Sequence, residues 1–446
     1  MVSMQKVEKT SNVSKVTATC ALLHLLVDGL CVCCLYKMAG SFDETLYAGV
    51  FITYTVLAFL TQPLTGLLAD HALRHSNILI LAAVAFLSIA VLIASVAMMV
   101  PMPPKVTFFL VAILLGMGNS LFHVWGGKLV AHLTRNDIRA LGVFVATGAL
   151  GLGIGVVFAS WLLLYGLLIA IAIMSAMAIR ITDNNADKCS DSVEVFSGRV
   201  WWAWCAVLLL MAFVGLRSYL GEALAAGVSY GAGTILLIGS IAMLGKAAGG
   251  WIAKGIGLWQ TLVLALIGTL LCLWLKSSVG WLWIPGVLLI NFTMAVTLYL
   301  CNKVLPGREG LAFGLLAASL MPGYLLAQIS DASMLLPTLV LNLTLTIAIE
   351  LGVLWLLREK RADVLWSSVV VNILTNLPLN LCLFYVGGGW TAIAVGEALV
   401  LLAETVWYRF FTSSWKRGAI YSILCNTISF LVGLLILLAM KLFQIL

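Results

Sequence analysis

Apolar residues occur in this chain in blocks about as long as a bilayer is thick, separated by short polar connections. A spanning helix needs about 20 apolar residues. Fifteen windows meet that length, at residues 16–38, 47–67, 77–100, 106–131, 140–159, 161–182, 200–222, 230–253, 257–275, 281–303, 311–330, 333–357, 364–386, 389–409 and 418–440. The fifth and sixth share one apolar run from Leu141 to Ile179, too long for a single crossing, and the run divides near Ser160. The first block follows a polar start with Lys6, Lys9 and Lys15 and carries no small-residue cleavage site before Met38. It therefore reads as a retained helix and not a signal peptide.

Composition agrees. Hydrophobic residues make up 63% of the 446 and charged residues 10%, with a mean hydropathy of +1.11. Soluble domains carry about 25% charged residues, so the solvent for most of this surface is lipid and the fold class is an all-α integral membrane protein. The net charge of +7 reads as topology, not as a nucleic-acid footprint. With the N-terminus cytoplasmic, 18 of the 25 Lys and Arg fall in cytoplasmic connections and Lys37, Lys105, Lys276 and Lys441 outside. That bias fixes orientation by the positive-inside rule, and an odd helix count then puts the C-terminus outside.

The longest polar connection, residues 183–199, divides an N-terminal six-helix half (1–182) from a C-terminal half (200–361). A second polar break near 358–363 introduces a three-helix extension, residues 362–446. The halves repeat weakly, as many transporters do. Placing "QPLTGLLAD" on "KAAGGWIAK" puts Gly66 on Gly250, Ala69 on Ala253 and Gln62 on Lys246, and the same logic sets Asp28 opposite Arg217.

Twelve helices, a linker after six and the sequence "GLLADHALRH" resemble the major facilitator superfamily. Gly66, Leu68, Ala69, Asp70 and Arg74 match its loop signature, while Leu73 replaces the second glycine and His71 a common basic residue. Asp70 and Arg74 share a helical face, where they can hold or release a helix contact. Within that superfamily the chain is similar to the fosmidomycin-resistance exporters. The motif residues are His24 and Asp28 in helix 1, Gly116, Gly118, Phe122 and His123 in helix 4, Leu216, Arg217 and Ser218 in helix 7, and "LPGREGLAFGL" before helix 11. The likeness covers about the first 360 residues. Val124 replaces a proline common after Phe-His, and helix 5 lacks the proline of antiporter signatures. The resemblance implies a secondary transporter with two six-helix halves and a cavity between them.

An ionised side chain at mid-bilayer costs about 2.5–3.5 kcal/mol on insertion scales, and such residues mark pathways. His24 and Asp28, four apart, share a face of helix 1 and are expected to couple transport to protons, tuned by Arg217. His123 and Lys246 are cavity candidates, Arg217 is the candidate for an anionic solute group, and Lys128 snorkels. The glycines of helix 5 allow close helix approach. Glu350 is read as hydrogen-bonded to a neighbouring helix. Asn372, Asn376 and Asn380 line one face of helix 13, and Glu397 and Glu404 one face of helix 14. These read as glue between helices, or as a separate polar site at Asn376, Glu397 and Glu404. The clustered Trp201, Trp202, Trp204, Trp281 and Trp283 read as an interfacial belt.

The ten cysteines show no zinc or disulfide spacing and read as packing residues. No phosphate loop occurs, so this chain alone does not use ATP. The expected function is proton-coupled export of a small organic or amphipathic molecule across the cytoplasmic membrane by a monomer without cofactor or metal. Two rivals are a non-transporting scaffold or sensor that keeps the fold, and a lipid-active enzyme, for which the sequence offers no specific nucleophile.

Overall fold

With lipid as solvent, a backbone must satisfy its own polar groups within one segment, and a helix does so. The computed structural model describes residues 2–40, 44–71, 76–97, 99–100, 104–183, 200–328, 332–386 and 389–442, and among them no strand occurs. Among the described residues fifteen helices are long and apolar enough to cross a membrane. They are α1 Ser14–Ala39, α2 Leu46–His71, α3 Asn77–Ala97, α4 Lys105–Leu133, α5 Ile138–Val157, α6 Trp161–Thr182, α7 Trp201–Ala225 and α8 Ala232–Ile256. The rest are α9 Leu258–Leu275, α10 Gly280–Val304, α11 Glu309–Ala327, α12 Thr338–Leu356, α13 Ala362–Leu383, α14 Trp390–Thr412 and α15 Trp415–Leu435. The protein is thus a multi-pass helical membrane protein. The linker expected at 183–199 falls, Asp183 apart, outside the described residues, as does Arg74.

The long apolar run does divide at Ser160. Its Oγ accepts the Leu163 N–H at 3.2 Å, which satisfies a donor that the first turn of α6 would otherwise leave unpaired. Three crossings are interrupted in a way that hydrophobicity does not reveal. α2 turns at Thr61, just ahead of Pro63, α10 breaks at Phe292, and α11 breaks at Ser319. Proline lacks the N–H that would continue the ladder, which accounts for the first and, through Pro322 three residues past Ser319, for the third; α10 has no comparable residue at Phe292.

Exposed tryptophans mark helix ends, as the belt predicts. Trp201 and Trp202 open α7, Trp390 opens α14 and Trp415 opens α15. Trp204 and Trp283 depart from that expectation. Both are buried, and Trp204 packs its ring 5.9 Å from that of Phe411.

By compactness the chain forms two units. One comprises Met1–Val195 with Leu210–Tyr324, and the other Phe196–Leu209 with Leu325–Leu446. In the second, α12 packs on α13 and α15, and α14 packs on the same two. These four helices form a ring, joined by the start of α7.

In the first unit α5 lies between α1 and α8. A methyl on Gly151 would strike the Leu25 carbonyl of α1, and one on Gly239 of α8 would strike the Ala149 carbonyl of α5. Bare backbones therefore meet on both sides of α5. The repeat read from sequence has a structural counterpart. Gly66 of α2 meets the Gly310 carbonyl at the start of α11, and its repeat partner Gly250 of α8 meets the Ile138 carbonyl at the start of α5. Each superposed glycine thus permits the same kind of crossing.

Candidate functional site

The site grows from two helical pairs. α1 carries His24 and Asp28 one turn apart, and α4 carries Asn119 and His123 one turn apart. All four converge. His24 Nδ1 bonds to the Phe144 carbonyl of α5 at 2.7 Å, and His123 Nδ1 bonds to the Asn119 carbonyl at 2.9 Å. A carbonyl oxygen only accepts, so both Nδ1 atoms carry the hydrogen; the hydrogen-bond network assigns the tautomers. Each Nε2 therefore presents a lone pair unless it too is protonated.

Those two Nε2 atoms face one another at 2.9 Å, with the rings edge to face and their centroids 4.5 Å apart. Asp28 Oδ2 lies 3.2 Å from His24 Nε2, and Asp28 Oδ1 lies 3.5 Å from His123 Nε2. The Asn119 amide donates to Asp28 Oδ1 at 2.9 Å. Two imidazole lone pairs and a carboxylate thus point at one small region, with His24 and Asp28 buried and His123 half-buried. Acceptors so arranged repel unless something positive lies among them. The surroundings are aromatic: Phe144 is 5.1 Å from the His24 ring and Phe313 of α11 is 6.4 Å from the His123 ring. Gly148 of α5 packs against the remaining side, where a methyl would overlap both Asp28 Oδ2 and His24 Nε2.

The other cavity candidates are Lys246 and Arg217. Lys246 is in electrostatic reach of Asp28 and of Arg217. Arg217 is buried, and its Nε has no hydrogen-bond partner among the described residues. Arg217 was expected to tune Asp28. The groups that hold Asp28 are instead His24, His123 and Asn119.

A second constellation lies at the α2–α11 crossing. Asp70 accepts the Gly310 N–H at 3.0 Å and the Leu311 N–H at 2.9 Å. The carboxylate thus meets the first turn of α11, where unpaired N–H groups and the helix dipole favour negative charge. Lys128 does not snorkel as expected. It is buried, donates to the Ala69 carbonyl and lies 3.6 Å from Asp70 Oδ1. At the α8–α5 crossing the polarity is rearranged. Asp137 caps α5 through the Arg139 N–H at 3.0 Å, and Lys254 stands 4.0 Å from Asp137. Arg139 holds the Asp137 carboxyl below its ordinary range.

The C-terminal polar face forms a network of its own. Asn372 donates to Glu350 Oε2 at 2.6 Å, so Glu350 does bond to a neighbouring helix. Asn376 donates to Asn372 Oδ1 at 2.9 Å, and Asn380 donates to the Asn376 backbone carbonyl at 2.8 Å. Glu404 accepts from Thr375 at 3.0 Å and from Asn426 at 2.5 Å. Glu350 Oε1 alone among these carboxylate oxygens has no partner among the described residues. Glu397 is half-buried nearby, within electrostatic reach of Glu350 and Glu404.

Sequence reasoning missed Asn119 and the pairing of Lys128 with Asp70, and read Gly148 only as one of the helix 5 glycines that allow close helix approach. Asn119 had a legible signal, since it stands four residues before His123 on the same face. No metal ligands were read from spacing, yet His24, Asp28 and His123 offer one ligand atom each within 4.8 Å of one another. His24 and His123 are 99 residues apart in sequence, beyond the reach of any spacing rule.

No family model matches the chain, and no curated protein matches it in sequence. Solved structures similar to it include the E. coli fucose:proton symporter FucP, at 15% identity over 84% of this chain and 99% of that one, with a TM-score of 0.49. Another is a bacterial homologue of the iron transporter ferroportin in an outward-facing state, at 13% identity over 89% and 99%, with a TM-score of 0.46.

Proposed function

We propose that this protein is a secondary transporter of the major facilitator type that exports a small organic or amphipathic solute in exchange for protons. The single observation behind the reading is the convergence of His24 Nε2, His123 Nε2 and the Asp28 carboxylate in one buried cluster. Both imidazoles spend their Nδ1 hydrogens on carbonyls, so the cluster holds together around one extra proton. A site that must hold a positive charge within a membrane bundle serves ion coupling. Motif residues from helices 1 and 4 meet in this cluster, which favours the exporter branch that they resemble.

In this reading Arg217 and Lys246 receive an anionic group of the solute, and alternating access comes from rocking of the six-helix halves 1–182 and 200–361. Asp70 bonded to the start of α11, with Gly66 beneath it, is the latch of one side. Arg74 belongs to the same motif. The N-terminus is cytoplasmic, the C-terminus outside, and the working unit is a monomer in the cell membrane. Asn376, Glu397 and Glu404 belong to a network that holds the C-terminal helices together.

Proteoliposomes with an imposed pH gradient and a compound panel test the reading. Wild-type protein is expected to drive solute accumulation that collapses when the gradient is dissipated, and Asp28→Asn to lose it with normal folding and insertion. Full, gradient-dependent transport by Asp28→Asn would refute the coupling role. Effects of Asp28 and Arg217 variants on stability alone would favour the scaffold alternative.

A further inference from the structure

We propose that the His24–Asp28–His123 cluster binds a divalent first-row transition-metal ion, with His24 Nε2, an Asp28 carboxylate oxygen and His123 Nε2 as its protein ligands. The proposal deepens the reading of this cluster as the cation site of a transporter, with the ion taking the place of the shared proton.

Four features carry it. The first is spacing. The two Nε2 atoms stand 2.9 Å apart, Asp28 Oδ2 lies 3.2 Å from His24 Nε2, and the other oxygen, Oδ1, lies 3.5 Å from His123 Nε2. Around a tetrahedral ion with bonds of about 2.0–2.1 Å, neighbouring ligands stand about 3.3 Å apart. One ligand atom from each residue lies within 4.8 Å of the other two, so a small turn of the carboxylate brings one oxygen to a third corner.

The second is orientation. A ligating histidine donates its other ring N–H to a carbonyl or carboxylate, which fixes the tautomer and aims the free nitrogen. Both histidines have such a partner, Phe144 O for His24 and Asn119 O for His123. Asn119 also holds the Asp28 carboxylate through its amide. Every ligand therefore has an outer partner in place.

Third comes close approach. Among the described glycines only Gly148 would, with a methyl, overlap both Asp28 Oδ2 and His24 Nε2. Its bare Cα lets α5 pack against those two ligand atoms with no side chain between.

The last is donor chemistry. Two imidazoles and one carboxylate suit zinc, iron, cobalt or nickel, whereas calcium and magnesium require mostly oxygen. Lys246, within electrostatic reach of Asp28 and His123, opposes the ion and limits its affinity.

The test uses the full-length protein, purified in detergent and stripped with chelator. Co²⁺ is titrated by visible absorption, and Zn²⁺ bound to the wild type is examined by X-ray absorption at the zinc edge. The expected results are one equivalent of Co²⁺ with four-coordinate d–d bands, and zinc surrounded by two imidazoles and carboxylate oxygen at about 2.0 Å. His24→Gln and His123→Gln are expected to abolish binding. Asn119→Ala, which removes an outer partner, is expected to weaken it about 10–100-fold. Absence of saturable binding by the wild type would overturn the proposal. So would unchanged binding in both histidine variants, or sulfur at about 2.3 Å, which would move the ion to cysteine. The zinc-edge measurement needs no variant, so misfolded mutants cannot decide the question. Proton-driven transport by chelator-treated vesicles is scored separately: its absence overturns the coupling reading, and the spectra alone overturn the metal site.

Discussion

Around Glu404, in the bundle of α12–α15, donors meet acceptors: Thr375 and Asn426 each supply a hydrogen to one carboxylate oxygen. Around Asp28 the arrangement is different. One amide donates to the carboxylate, while two imidazole nitrogens approach it and one another with their hydrogens committed elsewhere. Both clusters are buried, and both place carboxylates inside a membrane protein at considerable cost. The first needs nothing further to be satisfied, apart from Glu350 Oε1. The second is complete only with a cation. A buried charge is therefore a poor guide to function by itself; the supply of hydrogens around it distinguishes fastening from chemistry.

The contrast can be broken at several points. The largest effect is expected at Gly148→Ala, whose methyl would collide with Asp28 Oδ2 and His24 Nε2 and displace them. Transport in proteoliposomes should fall about 100-fold, the scale of a 1 Å misplacement at a working site, with helical content by circular dichroism unchanged. Next comes a matched pair of amide deletions. Asn119→Ala should lower transport about tenfold or more, while Asn426→Ala should leave transport within about twofold and lower unfolding stability by about 1–3 kcal/mol, the cost of an unsatisfied buried acceptor. Glu404→Gln should also spare transport, because the amide keeps an acceptor for one of its two donors; a thermal melt should show a loss of about 1 kcal/mol.

The smallest effect lies at the polar end of the bundle. Glu359 accepts from Tyr421 at 2.8 Å and pairs with Arg361 at 2.8 Å, and the Arg361 hydrogen bond holds its carboxyl down at about 2, against an ordinary 4.5. A depressed carboxyl contributes its full stabilisation above the unfolded value and loses it as pH falls towards the folded one. Between about pH 4.5 and 2 the melting temperature of the wild type should therefore decline. Tyr421→Phe should cost about 0.5–1.5 kcal/mol at neutral pH and shift that decline to higher pH, as melts across pH 7 to 3 would record.

The number and limits of the crossings were legible because lipid demands long apolar runs, and no tertiary contact competes with that demand. His24 and Asp28 were legible as a pair because one turn of helix separates them. Asn119 lay within reach of the same argument. Gly148 was legible as a glycine of close approach but not as a neighbour of this cluster, and the Phe144 carbonyl was not legible, because a backbone oxygen leaves no mark on composition. Lys128 has the length to snorkel, and only the path of α2 shows that Asp70 is near enough to hold it. Glu350 was assigned to the last helix of the second half, but its bond to Asn372 ties α12 to the extension. Removing residues 362–446 would strip that carboxylate of its donor, which makes truncation a harsher experiment than the sequence implied.

One helix also sets a condition on the lipid. α9 runs only from Leu258 to Leu275, 18 residues, or about 27 Å at 1.5 Å per residue. Trp259 and Trp274 stand exposed at its two ends and pin them to the headgroup levels. A hydrocarbon layer of about 30 Å is thicker than this span, and a short helix is accommodated by thinning the bilayer at a cost of fractions of a kcal/mol per Å. The protein thus carries a built-in ruler. Short-chain lipids relieve the mismatch, and the acyl-chain length of the host membrane becomes a variable that adjusts the energy of the bundle without touching a single residue of its polar clusters.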